Sequence, residues 1–313
     1  MVDILLSVYN GEKYLRRQLD SILAQDCGEW RILIRDDGSV DSSAELIAEY
    51  SSKYPDKIMT VPCGEPSGSA KRAFLRLMEY SDAEYTMFCD QDDIWLPDKV
   101  RRTLGAMKRM ERECGADMPL LVHTELIVAD MKSGKCSESF TEYQGLDPMA
   151  KSLPRLLCQN NVTGCTMMIN RALVRFCLSE SLEAVYDDIL MHDWWLALLA
   201  AACGKIGFVR RPTMLYRQHG ANTLGAVKTK SPAYVLSMLF KRGESAKRVK
   251  RTFLQADALL SVYGDRLPRE SRRILTSYLA IEDMSKARKI CALIKGDFLK
   301  QNTLHIIGQL VFA

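Results

Sequence analysis

Short apolar runs alternate with amphipathic stretches through the first hundred residues. The runs at residues 4–8, 31–34, 58–61 and 85–89 start every 27 residues and read as β-strands. Between them, Leu15, Leu19, Ile22 and Leu23 recur at helical spacing, as do Ala70, Ala73, Phe74, Leu77 and Met78. Residues 42–54 form a third helical pattern, with Asp41 as its cap. Strands alternating with helices of this length predict an α/β fold with a mostly parallel, doubly wound sheet flanked by helices. A basic helix follows Pro97 and runs to about Cys114, and strands are expected at 120–123, 126–129, 166–169, 206–209 and 214–217. Residues 132–146 are polar and punctuated by glycine, which predicts a loop, and residues 194–203 are an apolar helix. From about Ala233 the pattern becomes helical and basic, with Pro232 and Pro268 as breaks.

Composition narrows the class. The 313 residues are 47% apolar and 26% charged, which argues against disorder and low-complexity architectures. The longest apolar run, residues 194–203, is about half the ~20 residues a spanning helix needs. Asp3 and Asn10-Gly11-Glu12 break the opening apolar stretch, so a secretion signal is not expected and the chain reads as a soluble cytoplasmic protein. Ten cysteines without a C-x-x-C pair fit reduced thiols, Cys89, Cys165 and Cys203 lying in apolar runs. The Asn161-Val162-Thr163 sequon means little in that compartment.

Charge divides unevenly. Residues 226–313 hold 17 basic and 7 acidic residues, a net of +10 in a chain whose total is +4, so the first 225 residues carry −6. Asymmetry of this kind predicts a second module that meets an anionic surface.

In a doubly wound sheet, ligands bind beyond the carboxyl ends of the strands. Here those ends read Ser7-Val8-Tyr9-Asn10-Gly11, Arg35-Asp36-Asp37-Gly38-Ser39 and Asp90-Gln91-Asp92-Asp93. Neither the dinucleotide nor the P-loop glycine pattern is present. Three carboxylates directly after an apolar strand repel one another, and a hard Mg²⁺ or Mn²⁺ completed by substrate phosphates is the natural remedy.

These motifs resemble those of the inverting family 2 glycosyltransferases of GT-A fold. The resemblance rests on Ser-x-Tyr-Asn-Gly, Asp36-Asp37-Gly38-Ser39, the stretch from Asp90 through Ile94-Trp95-Leu96-Pro97 to Lys99, His192-Asp193-Trp194, and Tyr216-Arg217-Gln218-His219-Gly220-Ala221-Asn222, within residues 2–225. The wording around Asn160-Asn161-Val162-Thr163-Gly164 and residues 191–201 is similar to bacterial rhamnosyltransferases that build cell-wall polysaccharides. The resemblance implies a glycosyltransferase domain over 1–225, with a nucleotide-binding half (1–99) and an acceptor-binding half (100–225), followed by a basic helical region over 226–313. It implies transfer of L-rhamnose from dTDP-β-L-rhamnose to a glycan or lipid-linked acceptor in cell-wall or surface polysaccharide synthesis, with a UDP-hexose as the alternative donor.

The resemblance further implies the following roles for the matching positions. Tyr9 stacks on a pyrimidine, Asp37 accepts from its N3–H, Lys71 reaches the base or phosphate, and Asp90 belongs to the diphosphate site. The Mg²⁺ or Mn²⁺ falls to Asp92, Asp90 and His219. Asp193 is the general base, walled by Trp194 and Trp195, and its bland alternative is a helix cap. His192 stands where an acid often precedes the base. Trp194, Asn161 and Asp93 are expected on the acceptor side. The basic tail, with apolar stripes at Leu236, Leu239 and Phe240 and at Val249, Phe253 and Leu254, is expected to lie on the inner face of the cell membrane, and no nucleic acid partner is expected. Two other classes stay open: a haloacid-dehalogenase-like phosphohydrolase, whose D-x-D loop Asp90–Asp92 imitates, and an inactive nucleotide-sugar-binding protein.

Overall fold

The computed structural model describes residues 1–62, 64–130, 136–218 and 242–311. The chain forms two compact units: Met1–Phe140 with Thr163–Leu178 and Gly207–Gly225, and Thr141–Val162 with Ser179–Ile206 and Ala226–Ala313.

The first unit is built on the βα alternation. Strands β1 (Val2–Val8), β2 (Trp30–Asp36), β3 (Ile58–Thr60) and β4 (Tyr85–Cys89) are separated by helices α1 (Glu12–Leu23), α2 (Ser43–Lys53) and α3 (Ala70–Glu79). Strand β1 is parallel to β2 and β4, and β2 is parallel to β3. Strands covered on both faces need continuous apolar sequence, and Ile4, Leu5, Leu6, Met87 and Phe88 are accordingly fully buried. Leu15, Leu19 and Ile22 of α1 and Phe74, Leu77 and Met78 of α3 cover them. Phe74 meets Phe88 edge-on at 5.8 Å. Asp3 sits buried within β1, and its carboxylate is satisfied by Arg31 Nε (2.6 Å), Ser81 Oγ (2.8 Å) and two backbone N–H groups.

Beyond β4 the sheet changes direction. Its order is β3-β2-β1-β4-β8-β6-β9-β5, with β5 Ile94–Trp95, β6 Leu120–Asp130, β8 Met167–Asn170 and β9 Lys205–Gln218, and β7 Cys136–Ser137 beside β6. The β4–β8, β8–β6, β6–β7 and β5–β9 pairs are antiparallel. The fold is the expected α/β class, and its sheet is mixed, the parallel part ending at β4. The basic helix is present as α4 (Lys99–Cys114).

Two pairs of expected strands are single long strands. His123-Thr124-Glu125, which reads as a break, is buried inside β6. Thr124 shares a hydroxyl hydrogen bond with Thr213 (2.7 Å), and Glu125 accepts from Ser139 Oγ (2.8 Å) and the Phe140 N–H (3.0 Å). Arg210 and Arg211 likewise interrupt the apolar pattern of β9 but point to solvent. The segment expected as a loop holds β7 and the helix Phe140–Gln144, residues 131–135 lying outside the described residues.

The second unit is helical. Its centre is the helix His192–Cys203, whose Trp195 and Leu196–Ala200 are fully buried. Trp195 lies 6.1 Å from Tyr263 of the helix Arg242–Tyr263, and Phe253 of that helix stacks on Tyr278 at 4.7 Å. Ser271 Oγ donates to the Ala202 carbonyl (2.6 Å), and the Leu190 N–H to Gln255 Oε1 (2.8 Å). The C-terminal helices therefore share one core with residues 179–206. Among the described residues no helix is long and apolar enough to cross a membrane, and the cysteines described there are free thiols.

Candidate functional site

Three strand ends meet at one edge of the first unit. Register aligns Val8 with Asp36 and Leu6 with Cys89, so the segments after β1, β2 and β4 emerge side by side. Hydrogen bonds knit them together. The Asp37 N–H donates to the Val8 carbonyl (2.7 Å), and the Asn10 N–H to Ser39 Oγ (2.9 Å). The Gly11 N–H donates to Ser43 Oγ at 2.8 Å. Gln91, the middle residue of Asp90-Gln91-Asp92, clasps Tyr9 from both sides: its Oε1 accepts from the Tyr9 N–H (2.8 Å) and its Nε2 donates to the Tyr9 carbonyl (2.9 Å). Gly11 permits this approach, because a Cβ there would sit 2.5 Å from Gln91 Oε1.

With its main chain clasped, Tyr9 is 57% exposed. Asp37 is buried; its Oδ1 accepts from the Ser67 N–H (2.8 Å) and lies 3.3 Å from Arg35 Nη2. That bond ties the end of β2 to the loop before α3, in whose first turn Lys71 sits half-buried. Asp36 instead closes its own turn, accepting from the Ser39 N–H at 3.0 Å. Position 37 therefore lies deeper in the site than position 36.

The acidic turn is pinned from behind. Strand β5 pairs Ile94 with Leu215 and Trp95 with Met214 of β9, which brings Tyr216 and Arg217 to the turn. Arg217, buried, donates from Nε to the Asp92 carbonyl (2.5 Å) and from Nη2 to the Asp93 (3.2 Å) and Tyr14 (3.2 Å) carbonyls. One guanidinium fork thus fixes the main chain on which two candidate carboxylates stand. Asp90 and Asp92 are half-exposed and lie at the strand end.

Asp93 points the other way. It is fully buried, and burial first, then the Asp90 and Asp92 charges, push its carboxyl well above the usual carboxylate range. Ligand atoms of Asp90, Asp93 and Cys165 lie within 4.8 Å of one another. Burial also raises the Cys165 thiol, and a thiol beside a buried carboxyl is a partly soft donor pair, less suited to Mg²⁺ or Mn²⁺ than carboxylate oxygens alone. The half-exposed oxygens of Asp90 and Asp92 suit such a hard cation. Lys99, fully buried beneath the turn, donates from Nζ to the Cys165 carbonyl (2.9 Å) and lies 4.7 Å from the Trp95 ring; burial lowers it to about 8.

The second unit carries the remaining candidates. Asp193 is the second residue of the helix His192–Cys203, whose N-cap position is Met191. Its Oδ1 accepts from the Trp194 N–H (2.5 Å) and from Asn160 Nδ2 (3.2 Å). Trp194 is half-buried, and its Nε1 donates to the Leu156 carbonyl (2.7 Å). Trp195 belongs to the core, so of the two expected walls only Trp194 is partly open. His192 is buried, and burial holds its imidazole down at about 3, neutral at physiological pH. Asn161 turns inward, donating to the Asp147 (2.7 Å) and Ala150 (3.1 Å) carbonyls. Its neighbour Asn160 is the one that touches Asp193. His219 lies outside the described residues.

Sequence reasoning passed over Gln91, Arg217 and Asn160 as site residues. All three stand within the motifs, but their roles are contacts with main chain or with Asp193, and spacing alone does not disclose such contacts.

Comparison with known proteins bears on this arrangement. The family described as "Glycosyl transferase family 2" matches residues 3–117. The chain is 30% identical over 231 residues to the dTDP-rhamnosyl transferase RfbG of Shigella flexneri, covering 71% of this chain and 74% of that protein. It is 27% identical over 226 residues to an uncharacterized glycosyltransferase of Nostoc, covering 71% of this chain and 66% of that one. Among solved structures, S. aureus TarS 1-349 in complex with UDP-GlcNAc superposes with a TM-score of 0.54 at 12% identity, covering 99% of this chain and 90% of that one. That likeness concerns the fold.

Proposed function

The chain belongs to glycosyltransferase family 2, and from that premise we propose that it transfers L-rhamnose from dTDP-β-L-rhamnose to a glycan or lipid-linked acceptor in cell-wall or surface polysaccharide synthesis, with inversion. Membership sets aside the phosphohydrolase reading. The observation that carries the donor half is the meeting of Tyr9, Asp37 and the acidic turn on adjoining strand ends, joined through Gln91. An exposed ring, a buried carboxylate and two half-exposed carboxylates answer in turn to a flat pyrimidine, its N3–H and a diphosphate with its cation. The rhamnosyl choice rests on the named relative, and a UDP-hexose is the alternative donor.

Tyr9 stacks on the base, Asp37 accepts from it, and Lys71 meets base or phosphate. Asp90 and Asp92 would hold Mg²⁺ or Mn²⁺, with His219 as a third ligand, and the cation would supply positive charge facing the departing diphosphate. Asp193 accepts the proton of the acceptor hydroxyl as that oxygen bonds to the anomeric carbon. The bond from that carbon to the diphosphate breaks with its electron pair leaving on the diphosphate, so a β-L donor gives an α-L-rhamnoside. Trp194 offers the acceptor sugar a stacking face. The basic region 226–313 meets an anionic membrane surface from the cytoplasmic side.

Thermal unfolding tests the donor half. dTDP should raise the melting temperature when Mn²⁺ or Mg²⁺ is present and much less in chelator, because a ligand of the folded state stabilises it by mass action. An equal rise in chelator would contradict the cation assignment. Asp92→Ala should lose the cation-dependent part of the rise, and tight dTDP binding without any turnover would favour the inactive binding protein.

A further inference from the structure

The last helix of the second unit is inside out. In Thr303–Val311 the residue turned inward is His305, buried, while Leu304, Ile307 and Val311 are 48%, 53% and 53% exposed. These three fall at i, i+3 and i+7, one stripe of a helix. Ile306 and Leu310 are half-buried, and polar bonds tie the helix down: Gln309 Nε2 donates to the Phe298 carbonyl (2.9 Å), Gln309 Oε1 accepts from the Lys300 N–H (2.9 Å), and just before the helix the Gln301 N–H donates to Gln159 Oε1 (3.0 Å). The preceding helix, Lys286–Lys295, adds exposed Ala287, Cys291 and Ile294, the last 54% exposed. Lys286 Nζ donates to the Val311 carbonyl (2.7 Å), so the start of one helix lies against the end of the other.

The helix Arg242–Tyr263 is built the ordinary way. Its Phe253, Ala256, Leu259 and Tyr263 are spent in the core, and Lys247, Arg248, Lys250 and Arg251 face water. The apolar stripe expected there at Val249, Phe253 and Leu254 thus loses Phe253 to the interior, and Leu236, Leu239 and Phe240 lie outside the described residues.

Charge says what covers the outward stripe. The preceding helix and the segment that joins it to the last one carry Lys286, Arg288, Lys289, Lys295 and Lys300, against Asp297 as the single acid between Lys286 and Lys300. Asp297 is itself paired with Arg155 at 3.3 Å. A second copy docking through this face would bring like charges together, whereas anionic headgroups complement them.

We propose that the paired helices Lys286–Lys295 and Thr303–Val311 dock on an anionic lipid surface, with Leu304, Ile307, Val311 and Ile294 entering the headgroup boundary and those Lys and Arg side chains meeting phosphates. The proposal deepens the membrane partner in the functional reading above and assigns it to particular side chains.

Co-sedimentation of the full chain with phosphatidylglycerol/phosphatidylcholine vesicles, against phosphatidylcholine alone, tests it. The wild type should prefer the anionic vesicles at low salt. Replacing Leu304→Ser, Ile307→Ser and Val311→Ser together should weaken partition about tenfold or more, and Arg288→Gln with Lys289→Gln and Lys295→Gln should abolish the preference for anionic lipid. Ile307→Ser alone serves as the milder variant if the triple change lowers the melting temperature. Equal binding to both vesicle types, unchanged binding by the serine variants, or a wild-type dimer that the serine changes render monomeric would each overturn the proposal. Vesicle binding that persists while dTDP gives no thermal shift supports the docking face and fails the donor reading instead.

Discussion

At the scale of single residues, the site depends on small amides and one guanidinium more than on its motif carboxylates alone. Gln91 makes two hydrogen bonds to the Tyr9 main chain (2.8 and 2.9 Å) and nothing in a D-x-D pattern specifies the middle residue. Gln91→Ala should therefore weaken dTDP binding by about fivefold or more, since two lost hydrogen bonds at ~0.5–1.5 kcal/mol each amount to ~1–3 kcal/mol. Titration calorimetry of the variant checks this, and an unchanged affinity would mean the clasp does not present Tyr9 to the base. Asp93 teaches the converse. Its place in the acidic run suggested contact with the acceptor, but alternation along the turn sends its side chain into the interior beside Cys165. Asn160 and Asn161 show the same one-residue ambiguity: both are small amides in one motif, and only Asn160 reaches Asp193.

At the scale of elements, helix and strand positions in the first hundred residues were legible because continuous apolar strands and i, i+4 repeats leave little room for another reading. Later strands were not, since their polar residues are satisfied within the sheet: Thr124 by Thr213, Glu125 by Ser139 and Phe140. A local pattern marks such residues as breaks. The helix His192–Cys203 carries its own pH signature. His192 is buried and neutral with its folded value near 3, against about 6.5 unfolded, so the unfolded chain binds a proton that the folded chain refuses. Stability should fall as pH drops below about 6.5, approaching ~1.4 kcal/mol per pH unit for this one group. Melting curves between pH 7 and pH 5 should be flatter for His192→Gln than for wild type, whatever its absolute stability. A parallel pH dependence in the two proteins would contradict the burial argument.

At the scale of the whole molecule, the +10 net charge of residues 226–313 marks a basic region, but charge counts surface residues and is blind to the core beneath them. Tyr263 from this region lies against Trp195, Tyr278 donates to the Leu157 carbonyl, and Phe253 and Phe298 pack on Tyr278, all in the unit that bears Asp193. A chain ending before Arg242 should consequently lose cooperative melting of that unit, and with it sugar transfer, which makes point changes the proper probe of the tail; a truncated chain melting like the full one would refute the shared core. In the proposed reaction Asp193 takes the acceptor proton. Steady-state transfer from dTDP-β-L-rhamnose by Asp193→Asn tests it most directly. The substitution keeps the shape and the bond from Asn160 can re-form with the amide oxygen, but the amide cannot take the acceptor proton. Loss of a general base predicts that kcat falls by ~10²–10⁴ while dTDP binding is unchanged. A near wild-type kcat, or a variant that no longer binds dTDP, would contradict the account.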